Sequence, residues 1–178
     1  MPVESAGGVF DAIATIGPEH GLAFAGMHAM DSLRLEKAYR HWGHDITDED
    51  TALEAGLAFA CAFGKETGFI GKQALLRQKE GGVKKRLVQF ALEDPLPLLY
   101  RNEPIYRDGA MVGLITSGSY GHTLGRSVGL GYVRNEGGVD AGFVLGGKYE
   151  IDVAGIRYAA RASLKPMYDP HSERARIA

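Results

Sequence analysis

The pattern of hydrophobic and polar positions changes character at Gly81-Gly82, a little before the middle of the chain. Before this pair, apolar residues recur at the spacing of amphipathic helices. The pattern predicts helices over residues 8–16, 27–40 and from about 71 to 79, an acidic loop over 45–50 and a strand-like apolar run over 57–63. The glycine pair is therefore the best candidate for a domain boundary.

After Gly81-Gly82, the pattern predicts short strands joined by tight turns. Partial alternation of apolar and polar residues indicates strands over residues 86–92, 111–116, 127–133, 149–153 and 156–164. Asp108-Gly109 stands between two apolar runs, as in a two-residue hairpin turn. Short strands with regular turns favour a small antiparallel barrel or sandwich.

Composition narrows the class of protein. A chain of 178 residues, 45% hydrophobic and 24% charged, is long enough to bury a core. A net charge of −2 with dispersed basic residues argues against a nucleic-acid partner. No apolar run reaches the ~18 residues of a membrane helix, and the amino terminus lacks a secretory pattern. We therefore expect a cytoplasmic protein with no membrane partner. The single cysteine, Cys61, allows no Cys-based zinc site, and no metal site is expected.

The most informative single residue is Glu36, near the end of the second predicted helix. It follows Leu35 and lies close to the buried side of that helix. A carboxylate in this place needs a partner, because burying an unpaired charge is costly. The sequence leaves three alternatives open: a polar ligand, a basic neighbour such as Arg40, or solvent.

Six sequence blocks follow one another in an informative order. They are Ser32-Leu-Arg-Leu-Glu36, Trp42-Gly-His-Asp-Ile46, Leu53-Glu-Ala-Gly-Leu57, Phe69-Ile-Gly-Lys-Gln-Ala-Leu75, Lys84-Lys-Arg-Leu-Val88 and Thr116-Ser-Gly-Ser-Tyr120. In this order the chain resembles the carboxyl-terminal part of the glycine cleavage T-proteins, the folate-dependent aminomethyltransferase superfamily. More closely, it is similar to the folate-binding region of dimethylglycine and sarcosine dehydrogenases.

The resemblance implies an α+β fold, in which a partial ferredoxin-like, folate-binding α+β segment precedes a small antiparallel β-barrel. Residues 1–80 would be the remainder of the folate-binding domain, residues 83–168 the barrel domain and residues 169–178 a tail. The family's catalytic aspartate would lie before Met1. We therefore expect the isolated chain to be inactive, as a fragment, a split reading frame or a subunit of a larger enzyme.

The resemblance also implies tetrahydrofolate as cofactor and a small amine as one-carbon donor. Glu36 matches the family's pterin-binding carboxylate. Arg86, or Lys85 if the register shifts by one, matches a cation near the folate tail, and Tyr168 matches an aromatic contact. The family's Ser117-Gly-Ser119 loop approaches the folate, although this sequence is also a good turn. No Gly-x-Gly-x-x-Gly follows a strand, so neither FAD nor a nicotinamide cofactor is expected.

Two further hypotheses belong to other classes of protein. In the first, the chain is a non-catalytic docking or folate-binding module that needs a partner supplying the amino-terminal half. That partner chain, or a second copy, would cover an apolar surface around Val9, Ile13 and Phe24. In the second, the chain is a folate-binding relative that acts on RNA or in iron–sulfur assembly. The second is less favoured, because the Cys-containing motif of that branch is missing.

Overall fold

The structure of the protein is a computed structural model that describes residues 1–176. The chain divides into two compact units, Met1–Met30 and a larger one that begins at Asp31. In the first unit, helix α1 (Ala6–Ile16) lies between 3-10 turns at Val3–Ser5 and Gly17–His20. This helix matches the predicted one, and Pro18 lies near the start of the turn that follows it.

Helix α2 (Met27–Glu36) ends four residues earlier than the pattern predicts. Ala38 has a left-handed backbone with a φ of 53°. The N–H of Tyr39 bonds the carbonyl of Arg34, and that of Ala38 bonds the carbonyl of Leu35. These two bonds form a Schellman motif, in which glycine is the usual left-handed residue. Because alanine occupies this position instead, the sequence carries no glycine signal for the end of the helix.

The strand predicted over residues 57–63 is wrong. That segment contains a 3-10 turn at Ala58–Ala60, and Phe59 is largely exposed. Its backbone groups bond locally, since Leu57 N donates to Ala52 O and Cys61 N donates to Ala58 O. Alanine dominates this run and β-branched residues are missing from it, so its intrinsic preference for a strand is weak. Helix α3 (Lys72–Gly81) then follows close to its predicted place.

Six antiparallel strands form a closed barrel in the order β1-β4-β3-β2-β5-β6. Their bounds are Lys85–Leu92, Pro104–Arg107, Ala110–Gly121, Arg126–Arg134, Tyr149–Val153 and Ile156–Ser163 for β1 to β6, and helix α4 (Ala141–Gly146) lies between β4 and β5. Asp108 and Gly109 both have positive φ, as a two-residue hairpin turn requires. The predicted α+β fold with a small antiparallel barrel is confirmed.

Strand β1 has two buried faces, which decide how the barrel meets the segment before it. Val88 and Phe90 belong to the core cluster inside the barrel, while Leu87 belongs to a second cluster with Leu35 and Ala38. Because successive side chains of a strand alternate between faces, β1 packs on the barrel interior and on the end of α2 at once. The end of α2, where Glu36 lies, is thereby fixed against the barrel wall. The predicted boundary at Gly81-Gly82 stays a prediction.

The prediction of a turn at Ser117-Gly-Ser119 is wrong, since these residues lie inside β3. Gly118 is there because another backbone passes close by. A Cβ on Gly118 would lie 2.6 Å from the carbonyl oxygen of Leu99 and 2.9 Å from the nitrogen of Tyr100. Glycine within a strand often marks such a close approach, and this reason cannot be recognised without the tertiary fold.

We expect Gly118→Ala to destabilise the barrel by about 1–3 kcal/mol, because backbone atoms cannot move aside as cheaply as a flexible side chain. Thermal unfolding followed by circular dichroism measures the change. Gly146→Ala is the matched control, since no atom lies within 4 Å of a Cβ at that position. If the two variants melt alike, the close approach does not explain Gly118.

Candidate functional site

The carboxylate of Glu36 is buried at the end of α2, where only 1% of the residue is exposed. Its Oε1 accepts hydrogen bonds from the backbone N–H groups of Thr123 (2.7 Å) and Leu124 (2.9 Å), in the turn between β3 and β4. Arg40 is not its partner: the guanidinium donates to the carbonyls of Ala38 and Ala55. Arg40, one of the alternatives left open by the sequence, is therefore removed, and very little of the side chain faces solvent.

The position of Glu36 is electrostatically unusual. As the last residue of α2, it lies at the end of the helix where the carbonyl groups concentrate negative charge, so a carboxylate is disfavoured there. The two N–H donors from the turn offset this cost on Oε1. Among the hydrogen bonds of residues 1–176, none reaches Oε2. This oxygen therefore keeps the capacity to accept a further hydrogen bond.

The β3–β4 hairpin packs closely against α2 beside Glu36. The hydroxyl of Ser32 donates to the carbonyl of Tyr120 at 2.6 Å. A Cβ on Gly121 would lie 3.0 Å from Glu36 Oε1, so glycine leaves the room that the carboxylate occupies. The hairpin thus supplies both the donors and the space for Glu36.

On its other side, the end of α2 is held by β1 and by the segment after β6. The amide of Gln89 donates to the carbonyl of Leu35 at 2.7 Å and accepts from the N–H of Met167 at 2.8 Å. The N–H of Tyr168 donates to the carbonyl of Glu36 at 3.2 Å. The structure therefore brings together two of the residues that the sequence singled out, Glu36 and Tyr168, through the backbone.

Lys85 and Arg86 lie elsewhere on β1. Lys85 Nζ is 2.7 Å from Asp50 Oδ1 and 5.0 Å from the centre of the Tyr132 ring. It stands four residues before Gln89, which is about 13 Å along a strand. Arg86 is half-buried and lines a separate cavity of about 700 Å³. The structure does not bring either cation to Glu36, and their role at a folate tail stays a prediction.

Sequence reasoning missed Asp45, which it placed in an acidic loop. The segment is a loop, but only 1% of Asp45 is exposed. Its carboxylate accepts from Arg34 Nη1 (2.7 Å), from the N–H of His41 (2.9 Å) and from the hydroxyl of Thr116 (2.6 Å). Thr116 lies 71 residues away along the chain. No local signal therefore distinguishes Asp45 from the exposed acidic residues that follow it.

Metal binding and membrane insertion are two further functions on which the structure bears. The structure shows no group of three or more His, Cys, Asp or Glu side chains within residues 1–176 that could hold a metal ion. In the same part of the chain, every helix is too short or too polar to span a bilayer.

Comparison with known proteins decides the family. Residues 1–65 match the GCVT N-terminal domain, and residues 85–169 match the glycine cleavage T-protein C-terminal barrel domain. The chain belongs to the glycine cleavage T-protein family. The resemblance found in the sequence is thus confirmed.

Among its relatives, the 4-methylaminobutanoate oxidase (formaldehyde-forming) of Paenarthrobacter nicotinovorans is 45% identical over 94% of this chain and 20% of its own. Human mitochondrial sarcosine dehydrogenase is 38% identical over 99% of this chain and 19% of its own. The chain therefore spans about a fifth of the length of the curated relatives it matches.

A solved structure shows the same fold. The glycine cleavage system aminomethyltransferase T from Bartonella henselae superposes with a TM-score of 0.75 and 24% sequence identity, covering 92% of this chain and 45% of that one.

The Lys85–Asp50 pair predicts a specific pH dependence of stability. Burial raises the pKa of the Asp50 carboxyl, but its hydrogen bonds to Lys85 and Thr47 outweigh this and hold the pKa below the ordinary 3.8. A group with a lowered folded pKa stabilises above its unfolded pKa and loses that contribution as the pH falls. We expect Asp50→Asn to lower the melting temperature at pH 7 and to approach wild type near pH 3.

The loss at pH 7 should lie between the ~1 kcal/mol of an exposed pair and the ~3 kcal/mol of a buried one. Melting curves from pH 7 to pH 3 measure it. Glu136→Gln is the control, because the pair of Glu136 with Lys84 is exposed. A deficit of Asp50→Asn that stays constant with pH would contradict the electrostatic account.

Proposed function

We propose that this chain forms part of a tetrahydrofolate site for one-carbon (aminomethyl) transfer, within a larger enzyme of the dimethylglycine or sarcosine dehydrogenase kind. The observation that carries the proposal is the buried carboxylate of Glu36, with Oε1 held by two N–H groups and no bond to Oε2 among the described residues. Membership of the glycine cleavage T-protein family supports it, since aminomethyltransferases of this family use tetrahydrofolate.

The chemistry of a reduced pterin suits this carboxylate. Its amino group and ring N–H groups are donors, and a carboxylate accepts from them with charge-assisted hydrogen bonds. Burial strengthens such bonds, because the surroundings screen the charge less than water does. In this proposal Glu36 orients the pterin, Tyr168 supplies an aromatic neighbour and Arg86 pairs with a carboxylate of the folate tail. A small amine would supply the one-carbon unit, and positioning would supply this chain's share of catalysis.

A docking module is the second candidate function, and the first unit of the chain favours it. Val9, Ile13 and Phe24 are 41%, 54% and 73% exposed. None of residues 1–30 is buried. A partner chain or a second copy would cover these side chains, and folate binding would then be of no consequence for the role of the chain.

Glu36→Gln is the sharpest test of the folate proposal. Glutamine keeps one acceptor oxygen for Thr123 and Leu124 but replaces the other oxygen with an NH₂ donor, which would face the donors of the pterin. A hydrogen bond to a charged group contributes about 1.5–3 kcal/mol. We therefore expect the dissociation constant for tetrahydrofolate, measured by anaerobic calorimetry, to rise roughly tenfold to hundredfold.

Glu49→Gln, which changes an exposed carboxylate, is the control and should bind as wild type does. Equal melting temperatures of the two variants would show that the fold is kept. Unchanged affinity of Glu36→Gln would refute the role of Glu36. A folded wild-type chain that binds no folate but self-associates would favour the docking module instead.

A further inference from the structure

Three of the sequence blocks meet at one buried carboxylate that no part of the proposed folate chemistry uses. Asp45 belongs to the block that starts at Trp42, Arg34 to the block that ends at Glu36, and Thr116 starts the Thr-Ser-Gly-Ser-Tyr block. Both Arg34 and Thr116 donate to Asp45, at 2.7 and 2.6 Å. Residues far apart in sequence thus share one acceptor.

The donors around Asp45 approach both carboxylate oxygens from different directions, and one of them is a cation. Oδ2 accepts from Arg34 Nη1 and from the N–H of His41, and Oδ1 accepts from the hydroxyl of Thr116. Arg34 is also fixed by Asp31, because Arg34 Nε donates to Asp31 Oδ1 at 2.7 Å. Bonds of 2.6–2.7 Å to a carboxylate are in the range of strong, charge-assisted hydrogen bonds. Each donor therefore has little freedom to move relative to the others.

The backbone of β3 is distorted at the point where Thr116 makes this contact. In the pairing of β3 with β4, Ile115 lies opposite Gly131 and Ser117 lies opposite Leu130, so Thr116 is an extra residue. Such a bulge redirects a side chain and is common beside functional sites. Here the redirected hydroxyl is the one that reaches Asp45.

Two physical routes lead from Asp45 to Glu36. One runs through Arg34, which lies on α2 two residues before Glu36. The other runs through Thr116 along β3 to the turn whose N–H groups hold Glu36 Oε1. We propose that Asp45 is a positioning residue: it fixes α2 against the β3–β4 hairpin, so that the Glu36 carboxylate keeps Oε1 on the turn and Oε2 open.

A purely stabilising role does not explain this arrangement well. Ion pairs removed from water recover little net free energy, because desolvation offsets most of the attraction. The side chain of Asp45 is fully buried, and that of Arg34 is 12% exposed. Apolar side chains of similar volume would serve stability as well, whereas only directional bonds fix the helix in register with the hairpin.

Hydrogen exchange tests the proposal without a ligand. Asp45→Asn removes the charge that pairs with Arg34, whichever way the amide turns. An NH₂ group facing Arg34 and His41 would meet two donors, and one facing Thr116 would make that hydroxyl accept and donate to the Leu130 carbonyl instead. We expect the amides of Thr123 and Leu124 to exchange roughly tenfold faster, relative to the core amides of Val88 and Phe90 in the same sample. Thr116→Val, which replaces the hydroxyl with a methyl group, should act in the same direction and serves if Asp45→Asn does not fold.

Asp50→Asn is the control, since it breaks another largely buried ion pair, whose carboxylate accepts from Lys85 and Thr47 and from none of the residues that hold Glu36 or Asp45. It should leave the relative exchange of the two turn amides within about twofold of wild type, because local opening energies there do not change. Unchanged exchange of these amides in both Asp45→Asn and Thr116→Val would overturn the proposal.

The inference rests on the proposed function only for the identity of the ligand. If wild type binds tetrahydrofolate, Asp45→Asn should weaken the binding roughly tenfold, and its effect should be non-additive with that of Glu36→Gln. Equal affinity or full additivity would overturn the positioning role. If the wild-type chain alone binds no folate, the folate site needs the rest of the larger enzyme, and the exchange measurement alone decides the role of Asp45.

Discussion

A carboxylate buried at the carboxyl end of a helix is the constraint on which the rest of this structure depends. Helix α2 ends at Glu36, where its own carbonyl groups oppose a negative charge. Donors must therefore come from elsewhere in the fold, and the turn after β3 provides two of them on one carboxylate oxygen. The position of the hairpin and the space at Gly121 both meet this requirement.

The closed barrel holds the hairpin and the end of α2 in place around Glu36. Because its six strands leave no open edge, the hairpin and β1 have fixed positions relative to each other. Strand β1 packs on the barrel interior with one face and on the end of α2 with the other. Gln89 then connects α2 to the segment after β6. A ligand group at Glu36 would meet a site assembled from three separate parts of the chain.

The features that the sequence predicted are those with local causes. The strands after Gly81-Gly82 follow from alternation and turn residues, and the Asp108-Gly109 hairpin follows from two positions that must adopt positive φ. The end of α2 was missed because Ala38 takes a left-handed conformation that sequence rules assign to glycine. Ser117-Gly-Ser119 was wrongly predicted as a turn because its glycine is needed for the close approach of the backbone at Leu99, which is distant in sequence.

The candidate site was predictable only in part. The local pattern around Glu36 left ligand, arginine and solvent open, and the resemblance to a family favoured the ligand. Asp45 escaped notice because its two side-chain donors, Arg34 and Thr116, are 11 and 71 residues away. Long-range hydrogen bonds of this kind become visible only when the fold brings the segments together.

The most direct measurement is a crystal structure of the chain with a bound reduced folate. We expect a pterin N–H group about 3 Å from Glu36 Oε2, with Oε1 still accepting from the N–H groups of Thr123 and Leu124. A pterin bound elsewhere, or a Glu36 side chain turned away from the hairpin, would contradict it.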